Sequence, residues 1–241
     1  MAYGRRRVFD SLSCSFPRGR ISVILGGSGS GKSTIVRLIG GLAQPQGGSI
    51  IVDGQEVTRI SRRGLNQVRR KVGMMFQGGA LLDSYSVFDN VALPLRETRR
   101  QTEREIAEAV HDILNAVGVS DADDLLPGEL SGGMLRRVAL ARAIIRKPEV
   151  LLCDEPFSGL DPISIRRLEA LLVQLNRQSA MTLVVVSHDI PSTLRMADHV
   201  LLILGEKVLE GTPAELRQSD DAEAAEFFSD GMVRLQKQGN G

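Results

Sequence analysis

Residues 26–34, Gly26-Gly27-Ser28-Gly29-Ser30-Gly31-Lys32-Ser33-Thr34, directly follow the apolar run Ile21-Ser22-Val23-Ile24-Leu25. A strand that leads into a glycine-rich loop ending in Gly-Lys-Ser, and then into a helix, is the context in which such a loop binds phosphate. Glycines let successive backbone N–H groups turn toward a polyphosphate, and the helix start adds its positive end. A Gly/Ser-rich linker would not lie between a Val/Ile strand and an amphipathic helix. The stretch therefore predicts a nucleotide-binding loop.

Two side chains of this loop have predicted roles of their own. Lys32 is expected to bridge the β- and γ-phosphates, and the Ser33 hydroxyl is expected to ligate Mg²⁺. The remaining loop residues, from Gly26 to Thr34, are candidate ligands of the nucleotide through their backbone. ATP and Mg²⁺ are thus the cofactors that this stretch indicates.

Length and composition limit the function classes. The chain has 241 residues, 42% of them hydrophobic, which is enough for one large domain or a domain with an inserted lobe. Its 30 basic and 29 acidic residues nearly cancel, so nucleic acid is not an indicated partner. The longest apolar run, Val200–Leu204, is far shorter than the ~18 residues of a membrane helix. Cys14 and Cys153 lie in apolar segments, as buried thiols of a reducing compartment do. A cytoplasmic protein is expected, held at a membrane only by a partner.

Short apolar segments alternate with helical ones, which predicts an α/β domain with a mainly parallel sheet. Residues 77–147 differ, because they contain no convincing strand and Glu103–Val117 repeats apolar residues at helical spacing. Gly118 should end that helix, and Pro127-Gly128 marks another break. We therefore expect a core of residues 1–76 and 148–241 with a helical subdomain, 77–147, inserted into it, and short polar helices in the tail. The predicted strands are Val8–Cys14, Ile21–Leu25, Ser49–Val52, Val72–Phe76, Val150–Cys153, Thr182–Val186 and Val200–Leu204.

A pair of carboxylates ends one of these strands. Asp154 and Glu155 follow Val150–Cys153, and a strand buried on both faces brings its last residues to the ligand crevice at the carboxyl edge of the sheet. Asp154 is expected to hold Mg²⁺ through a water, and Glu155 to orient and polarise an attacking water. Together with the Lys32 loop, the pair predicts hydrolysis of a Mg²⁺–nucleotide.

A second glycine-containing helix start follows in the helical region. Leu130-Ser131-Gly132-Gly133-Met134 opens the helical run Leu135–Arg146 and offers another anion-binding terminus. One interpretation is that Ser131, Gly132 and Gly133 face the γ-phosphate held by another copy of the chain. The other is an ordinary capped helix start, which the local sequence alone favours.

The order of these pieces resembles the nucleotide-binding subunits of ABC transporters over nearly the entire chain. The resemblance implies a P-loop NTPase (RecA-like) core with an N-terminal antiparallel β portion and an inserted helical subdomain. It also implies a head-to-tail homodimer that holds two ATP molecules at its interface. The matching segments are the Lys32 loop, Gln77 after Val72–Phe76, Leu130–Met134, Asp154-Glu155, Ser158-Gly159-Leu160-Asp161, and His188 after Thr182–Ser187.

The resemblance implies further roles for individual residues. Gln77 would sense Mg²⁺ and the membrane partner, and His188 would contact the γ-phosphate and stabilise charge in the transition state. Asp161 would communicate across the dimer interface. Tyr3 resembles the aromatic that stacks on adenine, although the family normally has another strand before it, so either the N-terminus is trimmed or the start is atypical. Met134 departs from the Gln that most ABC signatures have.

The residues after Gln77 narrow the resemblance. Phe76–Val91, continuing into Ala92–Glu97, looks like the ATPase of Mla-type systems, which move phospholipid between the membranes of Gram-negative bacteria with an MCE-domain protein. This implies an integral-membrane permease, an MCE-domain lipid-binding protein and a small accessory subunit as partners, and a location on the cytoplasmic face of the inner membrane. Leu81, Leu82, Tyr85, Val87 and Phe88 are expected to form the wall of a groove for a permease helix. The alternative, that they simply pack the helical subdomain, is expected to account for about half of them.

Two alternatives stay open. A transporter of the same kind could move another substrate, such as an amino acid or a metal chelate. A soluble ABC ATPase of DNA repair or translation would share the hydrolytic residues, but such proteins typically carry a long coiled-coil insertion or a second ATPase module, for which this chain has no room.

Overall fold

The computed structural model describes residues 2–3, 6–7, 9 and 11–229 of the chain. Its centre is a six-stranded sheet with the strand order β10-β9-β3-β8-β7-β6. All neighbours pair in parallel except β10, which runs antiparallel to β9. The strands are β3 Ile21–Gly26, β6 Val72–Met75, β7 Val150–Asp154, β8 Thr182–Val186, β9 His199–Leu204 and β10 Lys207–Gly211.

Two small antiparallel pairs lie outside this sheet. β1 (Ala2–Tyr3) pairs with β2 (Arg6–Arg7), and β4 (Ile51–Val52) pairs with β5 (Gln55–Glu56). Within the described ranges, eight α-helices and a short 3₁₀ helix, Pro127–Glu129, accompany the strands, and residues 222–229 are also helical. The helices are α1 Lys32–Ile39, α2 Arg62–Arg70, α3 Val87–Arg96, α4 Glu103–Ala116, α5 Gly132–Ile144, α6 Pro162–Ser179, α7 Ile190–Met196 and α8 Pro213–Arg217.

Strands β3, β7 and β8 form the middle of the sheet because their side chains are apolar on both faces. All residues of β3 and β8 are buried, as are Leu151, Leu152 and Cys153 of β7. Buried parallel strands of this kind need helices on both faces, and two apolar clusters fill the space between them. The core therefore extends on both sides of the strands that carry the predicted nucleotide loop.

Only helices lie between β6 and β7 in the described structure. Helix α3 packs on α4 and α5, and α5 also contacts β6, so the apolar cluster continues from the sheet into these helices. Helix α4 begins with a capping box formed by Thr102 and Glu105 and ends before Gly118, whose φ is +68°. No helix of the described residues is long and apolar enough to cross a membrane.

The sequence-based strands need several corrections, and the short strands β1, β2 and β5 were not predicted. The predicted strand Val8–Cys14 is wrong where the chain is described, because residues 11–14 are not in a strand. Phe9, Leu12, Cys14 and Phe16 nevertheless pack against one face of the sheet, so their alternation reflects packing without strand pairing. The strand Ser49–Val52 is shorter than predicted, beginning at Ile51. Strand β10 was not predicted, since as the edge strand it is only half buried.

Gly73 tests the contact between β6 and the helical region. A Cβ at this position would lie 2.4 Å from the carbonyl oxygen of Ala143 at the end of α5. We expect Gly73→Ala to lower the free energy of unfolding by about 1–3 kcal/mol, because the backbone on both sides must move. Urea denaturation measures the loss.

Gly47→Ala is the control for the Gly73 substitution. An added Cβ there meets no atom within 4 Å. An unchanged midpoint for Gly73→Ala, equal to that of Gly47→Ala, would contradict the close contact.

Candidate active site

The glycine-rich loop joins the end of β3 to the start of α1. Gly26, the last residue of β3, has φ +151°, and an added Cβ would lie 2.6 Å from the carbonyl oxygen of Ile203 on β9. Gly31, with φ +97°, is the N-cap of α1 and makes no side-chain cap. Only glycine accepts these two positions without strain, and the first N–H groups of α1 are left for an anion.

Lys32 crosses the loop from its helical side. Its Nζ donates to the carbonyl oxygens of Gly26 and Gly27, both at 2.8 Å. Burial lowers the pKa of the Lys32 ammonium, while the nearby carboxylates of Glu155 and Asp154 act in the opposite direction. Lys32 is only 8% exposed, and the carbonyl oxygens of the loop already accept hydrogen bonds from its ammonium group. The loop conformation therefore accommodates this positive charge.

The strand β7 brings Asp154 to the same place. Asp154 is buried, and its Oδ1 accepts a hydrogen bond of 2.8 Å from the Ser33 hydroxyl. Gln77, two residues after β6 ends, lines the same cleft and is exposed. In the described residues no group of three or more His, Cys, Asp and Glu could hold a metal ion. The hydroxyl, carboxylate and amide oxygens of Ser33, Asp154 and Gln77 instead form the kind of oxygen donor set that suits Mg²⁺, with water and phosphate completing it.

Glu155 turns into the cleft through an unusual backbone conformation. Its φ is +50°, a left-handed value that a non-glycine residue adopts only when its surroundings hold it there. Its N–H donates to the carbonyl of Val186 on the neighbouring strand β8. The Glu155 Oε2 lies 2.8 Å from Nδ1 of His188, which follows the same strand. Because an ionised carboxylate only accepts, Nδ1 carries the hydrogen of this bond, and the other ring nitrogen is left for a ligand.

All of these side chains except the buried Asp154 line one cleft of about 570 Å³. A larger cavity of about 850 Å³ lies between residues 9–16 and the β4–β5 hairpin, away from every predicted catalytic group. We place the chemistry in the smaller cleft, since it alone of the two gathers the loop, the carboxylate and the histidine. Its lining residues are Ser28, Gly29, Gly31, Lys32, Ser33, Thr34, Gln77, Glu155, Ser158 and His188.

Other predicted site residues lie elsewhere in the single chain. Ser131 is the N-cap of α5, and its hydroxyl accepts from the N–H of Met134. Gly132 and Gly133 lie beside Leu160 and Ser164 instead of beside the Lys32 loop. Asp161 caps α6, and hydrogen bonds from Ser164 hold the pKa of its carboxyl below the usual range. The backbone of Tyr3 is in β1, but its side chain is outside the described part of the structure.

Sequence reasoning missed Ser158 as a lining residue. Ser158 lies three residues after Glu155, and its N–H donates to the Glu155 carbonyl, so it is part of the turn that aims the carboxylate. The only signal in the sequence was its position in the segment Ser158-Gly159-Leu160-Asp161. Nothing in the sequence indicated that the side chain of Arg136 would donate to the carbonyl oxygen of Ser158 in that turn.

Comparison with known proteins identifies the family. The model of the family described as "ABC transporter" matches residues 9–158. The chain belongs to this family. It is 45% identical to the intermembrane phospholipid transport system ATP-binding protein MlaF of Haemophilus influenzae, over 96% of this chain and 89% of that protein. Identity to MlaF of Escherichia coli strain K12 is 44%, over 95% of this chain and 86% of that protein.

Solved structures support the same assignment. A dimeric ATP-binding cassette in a post-hydrolysis state with ADP and Pi superposes with a TM-score of 0.81 at 29% identity, over 88% of this chain and 94% of that one. The predicted family, the α/β fold class with its antiparallel portion, and ATP hydrolysis are confirmed by these matches. This ABC ATPase binds a nucleotide.

Lys32 provides the first test of the cleft. We expect Lys32→Ala to weaken ATP binding by at least about tenfold, because the cation that bonds to both Gly26 and Gly27 is lost and its charged hydrogen bonds are each worth a few kcal/mol at most. Isothermal titration calorimetry measures the affinity. The control is Lys207→Ala, which removes a surface lysine paired with Asp221. Equal ATP affinity in both variants would contradict the assignment of the loop.

Proposed function

We propose that this ABC ATPase powers phospholipid transport between two membranes. The observation that carries the proposal is the 44–45% identity, over 95–96% of the chain, to proteins named as the ATP-binding component of intermembrane phospholipid transport. A probable ribonucleotide transport ATP-binding protein of Mycobacterium tuberculosis is 36% identical, and the match covers only 64% of that protein. The higher identity and the fuller coverage favour phospholipid as the substrate.

The cleft supports a division of labour among its side chains. Lys32 and the N–H groups of residues 26–34 bind the phosphates, and the open nitrogen of His188 contacts the γ-phosphate. Glu155 accepts a proton from the attacking water and orients it, with the hydrogen bond to His188 holding its carboxylate in place. Gln77 enters the cleft from the end of β6. Phosphoryl transfer of this kind depends on positioning and on charge stabilisation.

Mg²⁺ fits the oxygen donors of the cleft. Ser33, Gln77 and Asp154 would hold it, with Asp154 acting through a water. When bound, the ion supplies positive charge against the β- and γ-phosphate oxygens. The existing hydrogen bond between Ser33 and Asp154 keeps the hydroxyl and the carboxylate adjacent.

A second copy of the chain is part of the proposal. Ser131, Gly132 and Gly133 are accessible at the start of α5 but lie outside the Lys32 cleft of their own chain. A head-to-tail homodimer would bring them to the nucleotide bound by the partner, and the related cassettes of known structure are dimeric. In this arrangement Ser131 serves both as helix cap and as phosphate ligand, and Asp161 lies near the interface.

The loop after Gln77 offers a docking surface for a membrane subunit. Leu82 and Tyr85 are 41% and 39% exposed, although both are large and apolar. Val87 is fully buried, so its predicted place in the groove is wrong, and Leu81 and Phe88 pack partly against the core.

Asn90 holds this loop in shape. It is buried, it accepts from the N–H of Leu82, and it donates to the carbonyls of Leu82, Tyr85 and Ser86. The surface formed by Leu82 and Tyr85 is thus preformed. We propose that it receives a permease helix, with an MCE-domain protein and a small accessory subunit completing the system at the cytoplasmic face of the inner membrane.

Glu155→Gln tests catalysis and the proposed transport together. We expect ATP to bind normally and hydrolysis to fall on the order of a hundredfold or more, because an amide cannot take the proton of the water. ATP should then trap the dimer, as size-exclusion chromatography would show. In vesicles that contain the complex purified from membranes, the wild type should move fluorescent phospholipid with ATP, and Glu155→Gln should not. Full turnover in the variant would refute the role of Glu155, and ATP-driven movement of another solute but not of phospholipid would refute the substrate.

Charged residues at the docking surface should separate transport from nucleotide binding. We expect the double variant Leu82→Asp/Tyr85→Asp to lose copurification with the membrane subunit while ATP affinity stays at the wild-type value. Leu42→Asp is the control, since Leu42 is also exposed, at 51%, but lies after α1. A collapse of ATP affinity in the double variant would contradict the docking role.

A further inference from the structure

Helix α5 carries a buried arginine behind the cleft. Arg136 lies five residues after Ser131 and is only 9% exposed. Its Nη2 donates a hydrogen bond of 2.8 Å to the carbonyl oxygen of Ser158, the cleft residue in the turn after Glu155. The helix whose start carries the Ser-Gly-Gly segment is therefore bonded directly to the loop that presents the catalytic carboxylate.

The other edge of the same guanidinium lies against the residue after Gln77. A Cβ built on Gly78 would be 3.9 Å from Nη1 of Arg136. Gln77 and Ser158 line the cleft from different strands, and Arg136 is the side chain that reaches the neighbourhood of both. Its guanidinium thus lies close to the backbone of both loops.

The arginine is there without an acidic partner. Among the described residues no carboxylate forms an ion pair with Arg136, and burial lowers the pKa of its guanidinium. Removing such a group from water is costly unless its hydrogen bonds are made, and an arginine stays charged in a protein. A methionine or leucine would fill the same space on α5 without this cost. Packing alone therefore does not explain why Arg136 donates to the Ser158 carbonyl in the turn after Glu155.

A second arginine on α5 makes a similar bond nearby. Arg142 donates from Nη2 to the carbonyl oxygen of Gly79 at 2.9 Å. Two guanidinium groups of one helix thus bind backbone carbonyls of the two loops that follow Glu155 and Gln77. Bonds to backbone carbonyls fix the path of a loop without changing the chemistry of its side chains.

We propose that Arg136 is a positioning residue that holds the turn after Glu155 in register with α5, so that the rate of hydrolysis, and not ATP affinity, depends on it. The inference rests on the proposed roles of Glu155 and Gln77. Any movement of α5 relative to the sheet then moves the Ser158 carbonyl and with it the carboxylate that orients water. Since α5 begins with the segment proposed to face the partner's nucleotide, Arg136 would join the two cleft halves of a dimer through one side chain.

The kinetic test compares two substitutions at Arg136 with a control at Arg146. Arg136→Met keeps an apolar stem but removes the donors, and Arg136→Lys keeps a charged donor. The control is Arg146→Met, since Arg146 lies just beyond the end of α5. In the complex purified from membranes, we expect Arg136→Met to lower kcat by about tenfold while KM for ATP stays within about twofold. Arg136→Lys should restore most of kcat, and Arg146→Met should leave both constants unchanged.

A readout that does not need hydrolysis comes from hydrogen exchange of the full-length chain. We expect amides of residues 157–161 to exchange faster in Arg136→Met than in the wild type, with α6 and the rest of α5 unchanged. Wild-type kcat and exchange in Arg136→Met would overturn the proposal. So would equal losses of kcat and of ATP affinity together with faster exchange throughout the helices, since that indicates a purely structural role.

The same design separates this inference from the function on which it rests. A wild-type complex that cleaves no ATP would refute the proposed function, while the amide exchange of residues 157–161 would still decide whether Arg136 holds the turn. Where Arg136→Met does not fold, Arg136→Gln and Arg136→Lys are compared instead. The shorter neutral amide should lower kcat and speed exchange, the lysine should do neither, and equal behaviour of the two would count against the proposal.

Discussion

Parallel register across the central strands is the constraint on which the cleft depends. Asp154 of β7 pairs with Val186 of β8, and Val186 pairs with Ile24 of β3, so three strands reach the same edge of the sheet in line. The residues that follow each of these strands therefore lie together at that edge. The glycine loop, Glu155 and His188 meet there because strand pairing brings their backbones together, before any side chain interacts.

At that edge, backbone conformation and backbone carbonyls place the functional side chains. The positive φ of Glu155 and of Gly31 reverses the chain where a regular strand or helix would carry it past the cleft. Lys32 bonds to two loop carbonyls, so its charge is already placed where phosphates would arrive. A site built in this way loses little entropy on binding, because its loop and its cation are ordered beforehand.

The elements that the sequence predicted best are those in which several consecutive residues indicate the same structure. Strand β8 was predicted with its observed ends, Thr182 and Val186, since a strand buried on both faces reads as an unbroken apolar run. Val8–Cys14 is a longer segment in which polar residues separate the apolar ones. Nothing in a sequence shows whether such a segment pairs with another strand. The gathering of Lys32, Asp154, Glu155 and His188 could be anticipated from motif order. The contact of Arg136 with Ser158 could not, because it joins residues of two elements whose relative placement only the folded chain defines.

At the start of α5, Ser131 can cap its own helix and also bind a phosphate held by a second copy of the chain. An N-cap serine satisfies one N–H of its helix, here that of Met134, and leaves other N–H groups of the first turn free for an anion. The two interpretations of Ser131, cap and phosphate ligand, are therefore not exclusive. Within one chain, Gly133 lies against Ser164, and Ser131, Gly132 and Gly133 are not among the residues that line the Lys32 cleft. In the proposed head-to-tail dimer, the Ser131 end of α5 would meet a phosphate held by the other copy. Arg136, on the same helix, would then transmit that contact to the turn that holds Glu155.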